Sequence, residues 1–389
     1  MSGYEPCVTN HTAVIYDRGG MTRLAGGLIR RPERVQWSRD RDGVSEASVL
    51  ITGKACSEQR EMLNRVASKR HELVIFRGQE RVWEGPIFRI SDEGNRVEIF
   101  AKDVIAYLFG TPLTQDWDNT NAGNGSTTVT GRLGGIITYE MTTGRMGRAL
   151  GGEIVPIPAW ESLSPPANVV PHLQIHHNVN EARTSAKTTP FQMTVGEHLA
   201  AVARTSGIDY TAVGRAIHIW DTSRNLGRTR QLSEADFYGP VIVTEYGADH
   251  TQIAYVATQE AAYGEAVNTE HMDFYGPWST VYTAYNEEGT QAPSEPELNS
   301  QAARNTSGRS PVPFEVRIPD NSSVRLSDSL PINMLVPGVQ VPLVATLNAR
   351  NFSQLQKIDF LRVTETAEGE NVQLTLTPAT REDSNEPED

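Results

Sequence analysis

One stretch, Leu73 to Leu108 (LVIFRGQERVWEGPIFRISDEGNRVEIFAKDVIAYL), restricts the possible folds more than any other. Leu73 to Phe76 is an apolar run of strand length. Arg77-Gly78-Gln79-Glu80 turns it. Val82 to Ile90 returns, with Val82, Phe88 and Ile90 on one parity of the pleat. Gly85-Pro86 interrupts the return, and inside a strand this pair predicts a bulge or an edge. Asp92-Glu93-Gly94-Asn95 is a second turn. Val97, Ile99 and Ala101 then alternate with Glu98 and Phe100, the period of a half-buried strand. Asp103 stands where a helix would start, Val104 and Leu108 are spaced i and i+4, and Gly110-Thr111-Pro112 stops the turn. The stretch predicts a β-meander closed by one helical turn. It presents no catalytic side chain.

The residues before it also read as β. Thr12 to Tyr16 is a strand and Asp17-Arg18-Gly19-Gly20 a turn. Val35, Trp37 and Arg39 lead into Asp40-Arg41-Asp42-Gly43, and Ala47, Val49 and Ile51 return from it. The Asp-Gly step signals a hairpin, and its charges read as solvated or interfacial. Ser57 predicts a helix cap, with the helix running to about Ala67 and burying Met62 and Val66. Residues 1–110 are therefore expected to form one β-barrel or sandwich with a helix laid against it.

From 111 to 189 the texture changes to a loop-rich insertion. Asn, Gly, Ser and Thr dominate Asp116 to Thr128, and Pro156, Pro158, Pro165, Pro166 and Pro171 crowd the next part. Little core is expected there, with one strand pair around Gly135 to Met141. Residues 190–235 predict a small α+β unit. Thr194 and Glu197 form a capping box for a helix with Val195, Leu199, Val202 and Ala203 on one face, ended by Gly207. Ile208 to Val213, the Gly214-Arg215 turn, Ile217 and Ile219 then make a hairpin. Residues 236–380 return to β, with strands at Val241 to Tyr246 and Thr251 to Thr258. A polar, irregular loop at 260–312 holds one short helix, capped by Ser294 with Glu297 at N3 and Leu298 and Ala302 inward. LVPGVQVPLVATLN reads as a strand broken at Pro-Gly. The following hairpin turns at Ala367 to Glu370, with Val372, Leu374 and Leu376 alternating. The acidic residues 381–389, REDSNEPED, read as a disordered tail.

Several of these passages carry a resemblance. VWEGPIFRI and GNRVEIFAKDVIAYL resemble the first barrel of the minor tail proteins that follow the tape-measure protein in long-tailed actinobacteriophages. That family is similar to the tail-tip (baseplate) hub proteins of other phages. MTVGEHLAAVARTSGIDYTAVGRAIHIWD resembles the family's helix and GIDYT-like hairpin. The Leu-Val-Pro-Gly step and the final Gly-Glu-x-Val hairpin resemble its closing barrel. The resemblance covers about residues 10–110, 190–260 and 310–378. It implies a mainly β (α+β) fold: two tail-tube-like β-barrels or sandwiches with small helical and loop-rich insertions. It further implies a structural virion protein, made in the bacterial host cytoplasm and carried at the tail tip. There it would close or continue the tail tube. The partners implied are a homotrimer of this chain, the distal tail protein, the tape-measure protein, and tail fibre or tip proteins. DNA is met only in passage, and no stable membrane insertion is implied. Two barrels per copy would present pseudo-sixfold symmetry to a hexameric tube.

Composition agrees with a conduit. Acids exceed bases, 48 against 35, for a net charge of −13, which disfavours non-specific coating of nucleic acid. No run approaches the ~18 apolar residues of a membrane span, and MSGYEPCVTNHT lacks the pattern of a secretory leader. Cys7 and Cys56 are the two cysteines, and free thiols from a reducing cytosol are expected, with one disulfide left open.

The search for chemistry ends with no catalytic, cofactor or metal residues assigned. His172 and His176 in PHLQIHHN would share a helical face, with His177 beside them, as zinc pairs do. No Glu lies inside the pair and no Cys is near, so an incidental loop is expected. Asp116-Trp117-Asp118-Asn119 begins like a calcium loop but lacks its Gly and closing Glu. There is no phosphate-binding Gly-rich loop, nucleophile elbow or H-E-x-x-H. Trp83 and Trp220 fall in strands and are expected in the core or at subunit contacts, while Trp117, Trp160 and Trp278 are scattered. The chain is expected not to be an enzyme. The alternatives are a cell-wall-degrading tail-tip protein, or a carbohydrate-binding one using the aromatic region Tyr263 to Tyr285.

Overall fold

The computed structural model describes residues 8–114, 117, 128–141, 147–150, 153–156, 173–177, 190–206, 208–222, 224–245, 250–259, 261–269, 272–284, 292–307, 314–319, 322–346 and 351–379. The chain is mostly β, in several sheets with small helical units between them, as the residue alternation predicts. Gly207, Cys7 and the acidic tail lie outside the described residues.

The first block holds β1 (His11–Tyr16), β2 (Arg23–Ile29), β3 (Arg34–Asp40) and β4 (Glu46–Thr52). Two short helices, α1 (Gly53–Glu58) and α2 (Arg60–Leu63), separate these from β5 (Glu72–Arg77), β6 (Glu80–Asp92), β7 (Arg96–Lys102) and α3 (Ala106–Phe109). Ser57 does not cap the helix as expected. It ends α1, where its hydroxyl donates to the Lys54 carbonyl. The helix breaks at Gln59, whose side chain is committed to Arg30, the residue after strand β2. Its Oε1 accepts the Arg30 N–H at 2.7 Å and its Nε2 donates to the Arg30 carbonyl at 2.8 Å. Met62 and Val66 are buried as predicted. The Cys56 thiol is free and donates to the Ile51 carbonyl.

The expected parity of β6 fails at Phe88, while Val82 is buried and Ile90 packs half-buried against the core as expected. Phe88 is 36% exposed and Ile87 is fully buried. Strand β6 leaves β5 after the Glu72–Pro86 pair and joins β7 at the Ile87–Ala101 pair, with a register shift between Ile87 and Arg89. That bulge returns the even positions to the core side, so Ile90 packs inward opposite Ile99. Gly85-Pro86 marks the corner. A Cβ at Gly85 would strike the Lys102 carbonyl and lie 2.6 Å from the Asp103 Cα. Gly85→Ala is accordingly expected to destabilise the chain by about 2–3 kcal/mol. Urea unfolding measures this, and a loss under about 0.5 kcal/mol, as at an ordinary surface site, would contradict the close crossing.

The middle of the chain builds a second unit from α4 (Val129–Met141), β8 (Gly147–Leu150), β9 (Glu153–Pro156), β10 (Gln174–His177), α5 (Val195–Ser206), β11 (Ile208–Val213) and β12 (Ala216–Asp221). The strand pair expected around Gly135 to Met141 is instead helix α4. Its buried residues Val129, Leu133, Ile136, Ile137 and Met141 recur at helical spacing. They share a core with Val104, Leu108, Val195, Leu199, Val202, Ile217 and Ile219. The three glycines and the β-branched residues of GRLGGIITYE obscured this period. Gly134 serves close packing, since a Cβ there would lie 3.0 Å from the His177 ring. Helix α5 follows its sequence signals. The Thr194 N–H donates to Glu197 Oε2 at 2.7 Å, and the Glu197 N–H donates back to Thr194 Oγ1 at 3.2 Å.

The last part contains β13 (Leu232–Ser233), β14 (Phe237–Tyr238), β15 (Ile242–Glu245), β16 (Ile253–Ala257), β17 (Tyr263–Val267), α6 (Met272–Tyr275), β18 (Ser279–Thr283) and α7 (Glu295–Ser307). After them come β19 (Phe314–Arg317), β20 (Ser323–Val324), β21 (Gln340–Thr346), β22 (Asn351–Thr366) and β23 (Gly369–Pro378). Residues 260–312 are more regular than expected. Strands β17, β16 and β18 form a small sheet covered by α7, with Ala254, Val256, Leu298 and Ala302 between them. The Ser294 cap and its Glu297 partner are in place. The Pro337-Gly338 step precedes β21 rather than breaking it. Gly338 has φ +90°, and a Cβ there would lie 2.5 Å from the Trp220 ring.

Strand β22 joins the two ends of the chain. It pairs with β21 and β23 and, through residues 360–366, with β3. One thirteen-stranded sheet results, in the order β15-β19-β23-β22-β3-β4-β7-β6-β5-β1-β2, with β21 and β13 branching from β22. Strands from its two halves also meet through side chains. Glu365 on β22 binds His11 on β1, and Arg77 at the end of β5 pairs with Glu370 on β23 at 2.8 and 2.9 Å. One core, from Val8 to Leu376, runs through both sets of strands.

Candidate functional site

Buried charge clamps the β11–β12 hairpin to the main sheet at both ends. At one end Arg215, in the hairpin turn, reaches between Glu72 on β5 and Glu84 on β6. Its Nη2 pairs with Glu72, and its Nε lies 3.1 Å from Glu84 Oε2. Arg81 Nη2 lies 3.0 Å from the same oxygen. The Tyr107 hydroxyl and the Gly19 N–H both donate to Glu72 Oε1. Glu72 and Glu84 are 0% and 3% exposed. Burial raises the Glu84 pKa, against the pull of Arg215 and Arg81. Burial and the Glu72 charge push the Tyr107 pKa up, so the phenol stays a neutral donor.

The Asp40–Asp42 turn makes the other clamp. Arg41 pairs with Asp209 at 3.4 Å and with Asp359 at 2.6 Å. The Asp42 N–H donates to the Tyr210 carbonyl, the Tyr210 N–H to Asp42 Oδ1, and Thr211 Oγ1 to the Asp40 carbonyl. The charged turn is thus interfacial. Arg39 departs further from a solvated reading: it is 2% exposed, donates to the Val82 and Leu335 carbonyls, and stacks 5.0 Å over Trp37. Burial lowers its pKa to about 10.

Burial also raises Asp40 to about 6 and Asp103 to about 7. Asp103 takes the Ser45 and Ile105 N–H groups, which stabilise the ionised form but do not offset the desolvation. Both carboxyls hold protons in the folded state that the unfolded chain releases near pH 4. Their contribution is therefore complete below that value and is lost as pH rises through about 6 to 7. Thermal unfolding is expected to show a lower midpoint at pH 8 than at pH 5. A flat or rising midpoint would contradict these environments.

Of the three histidines weighed as a metal site, two, His176 and His177, fall among the described residues. His176 and His177 lie on strand β10, where neighbours point to opposite faces, and not on a helix. His176 stacks on His218 of β12, 5.0 Å away, and burial followed by the His176 charge lowers His218 to about 4. His172, Trp160, Asp116, Asp118 and Asn119 lie outside the described residues. Among the described residues, no three His, Cys, Asp or Glu side chains converge as a metal would require. Trp83 and Trp220 are buried as expected. Trp117 is also buried, and its Nε1 donates to Glu140, a fully buried carboxylate that also accepts from Thr114. Sequence reading passed over Glu140 because nothing local marks it.

Two surfaces stand out among the described residues. A cleft of about 540 Å³ beside α3 is lined by Val44, Pro86, Phe88, Tyr107 and Phe109, with Arg18, Lys69 and Lys102 at its rim. The small β16–β18 sheet exposes Tyr263 (61%) and Val281 (70%), and the connection from β17 to β18 exposes Phe274 (80%) on α6 and Trp278 (62%). Tyr285, the end of the predicted aromatic region, lies outside the described residues. No helix among the described residues is long and apolar enough to cross a membrane.

No protein-family model and no curated protein matches the sequence. Solved structures do. A 43 kDa tail protein of prophage MuSo2 from Shewanella oneidensis superposes with TM-score 0.56 at 11% identity, covering 94% of this chain and 98% of that one. Prophage tail protein gp18 from Listeria monocytogenes EGD-e gives 0.55 at 7% identity, covering 94% of each chain. A tail protein from Neisseria meningitidis MC58 gives 0.52 at 11% identity, covering 95% and 97%. Over nearly its whole length, the chain has the β-rich fold of these phage tail proteins.

Proposed function

We propose that the chain is a structural protein of a phage tail tip, a hub that closes or continues the tail tube and anchors distal components. The observation that carries this is end-to-end fold likeness: 94% of this chain against 98% of a phage tail protein, with no large part unmatched on either side. The joined sheet supports the reading, because β22 makes one rigid body from strands at both ends of the chain. A ring of three such copies would meet a sixfold tube, with the distal tail protein, the tape-measure protein and fibre or tip proteins as neighbours. The net charge of −13 suits a conduit that does not retain DNA in passage. Antibody-gold labelling of the particle tests the placement. Label at the end of the tail opposite the head is expected; label on the head or along the tube shaft would refute it.

One observation favours a second reading. Tyr263 and Trp278 are exposed aromatic rings of the kind that stack on sugars. Binding to host cell-wall glycan, lost in Trp278→Ala, would support a carbohydrate-binding role.

A further inference from the structure

The cleft beside α3 carries a charge opposite to that of the chain. Arg18, Lys69 and Lys102 line it and no carboxylate does, although acids outnumber bases 48 to 35 over the whole sequence. Its walls are apolar, chiefly Val44, Pro86, Phe88 and Phe109. Each phenylalanine is backed on one side. The Lys102 ammonium lies 5.6 Å over the Phe88 ring. Phe109 rests on helix α5, where a Cβ at Gly196 would lie 2.6 Å from its ring. Both still keep a bare part, at 36% and 39% exposure. The rim is fixed as well. Lys69 stands in the left-handed region (φ 62°), and its N–H donates to the Ile87 carbonyl at 2.6 Å while its side chain is exposed. Lys102 is 4.0 Å from Glu46, at the edge of ion-pair range.

These features select an occupant. Sites for sugars and nucleotides need placed hydrogen-bonding groups that orient the ligand. Here the Tyr107 hydroxyl is already given to Glu72, and apart from the three cations the other lining side chains are apolar. Cations around an apolar floor instead fit carboxylates flanking one large apolar side chain. That is the pattern of an acidic peptide with an aromatic or leucine anchor, the anchor supplying affinity and the rim charges supplying selection.

We propose that this cleft docks an acidic segment of a neighbouring tail protein, its apolar anchor against Phe88 and Phe109 and its carboxylates on Lys69 and Lys102. The chemistry of the occupant stands on the cleft alone, and its origin in another tail component rests on the tail-tip reading.

Fluorescence anisotropy on the full chain tests the chemistry. The probe is a short fluorescein-labelled peptide with Asp and Glu on both sides of a central Phe-Leu pair. Saturable binding is expected, with Kd on the order of 100 μM or tighter, weakening as salt rises. Ser-Ser in place of Phe-Leu, or Lys69→Glu with Lys102→Glu in the protein, is expected to weaken it about tenfold or more. The doubly substituted protein should instead prefer a second peptide, in which Lys replaces every Asp and Glu around Phe-Leu. A misfolded variant could not gain that preference. No saturation of the wild type by ~1 mM peptide, equal binding of the Ser-Ser peptide, or an unswitched preference in the variant would each overturn the proposal. So would tighter binding of the wild type to anionic phospholipid vesicles than to the peptide, which would assign the cleft to a lipid surface. In assembled particles, a benzophenone photocrosslinker in place of Phe88 should join an Asp- and Glu-rich peptide of another tail protein, identified by mass spectrometry. A crosslink only to copies of this chain would overturn the stated source. None of these outcomes moves the gold label from the tail tip, so the two readings fail separately.

Discussion

Arg215→Ala is expected to destabilise the chain by about 3–5 kcal/mol, because it leaves Glu72 and Glu84 buried side by side without their shared cation. Arg81 and the Tyr107 hydroxyl remain, but each serves only one carboxylate. The loss should depend on pH. Burial already raises the Glu84 pKa, and removing Arg215 raises it further. A raised carboxyl contributes stability that is complete below its unfolded value and fades as pH rises through its folded one. The deficit of the variant should therefore be larger at pH 8 than at pH 5. Adding Glu84→Gln to Arg215→Ala should recover part of it. Urea unfolding at the two pH values is the check. A deficit below about 1 kcal/mol, as for an exposed ion pair, would mean that the clamp is not closed.

Glu365→Ala is the second large effect, at about 3–4 kcal/mol. Glu365 accepts the N–H groups of Thr9, Asn10 and His11 and pairs with the His11 ring at 2.6 Å. That ring in turn accepts the Trp37 indole N–H at 3.1 Å. Removing the carboxylate orphans buried donors on β1 and opens the side-chain bridge between β1 and β22. Burial pushes the Glu365 pKa up, but the hydrogen bonds from His11, Asn10 and Thr9 outweigh it and hold the group at about 2. A depressed carboxyl contributes stability above its ordinary value of 4.5 and loses it as pH falls through about 2. The gap between wild type and variant should shrink steadily from pH 5 to pH 2. A constant gap would show that the carboxylate is not the source.

The strands were legible where apolar alternation is local. Val97, Ile99 and Ala101, and Val372, Leu374 and Leu376, are buried as their period demands. So were the α5 and α7 capping boxes, which depend on residues three apart. Phe88 misled because parity holds only while a strand keeps one partner, and β6 changes partner at Gly85-Pro86. Helix α4 was hidden by its glycines, of which Gly134 serves packing against β10. Of the two surfaces, the aromatic one was partly visible as the region Tyr263 to Tyr285. The cleft was not, because Lys69, Phe88 and Phe109 meet only after folding. The buried clamps were invisible for the same reason. Arg215 lies 143 residues from Glu72, and Glu365 lies 354 from His11. No local pattern distinguishes such charges from solvated ones.

The central claim is that this chain forms the hub of a phage tail tip. A cryo-EM reconstruction of the tail tip of the particle that encodes it tests this most directly. Threefold density below the tube, accommodating one copy of the joined sheet per third, is the predicted result. Absence of the chain from that density, or its appearance as a peripheral lobe on a fibre, would contradict the hub and favour the carbohydrate-binding reading.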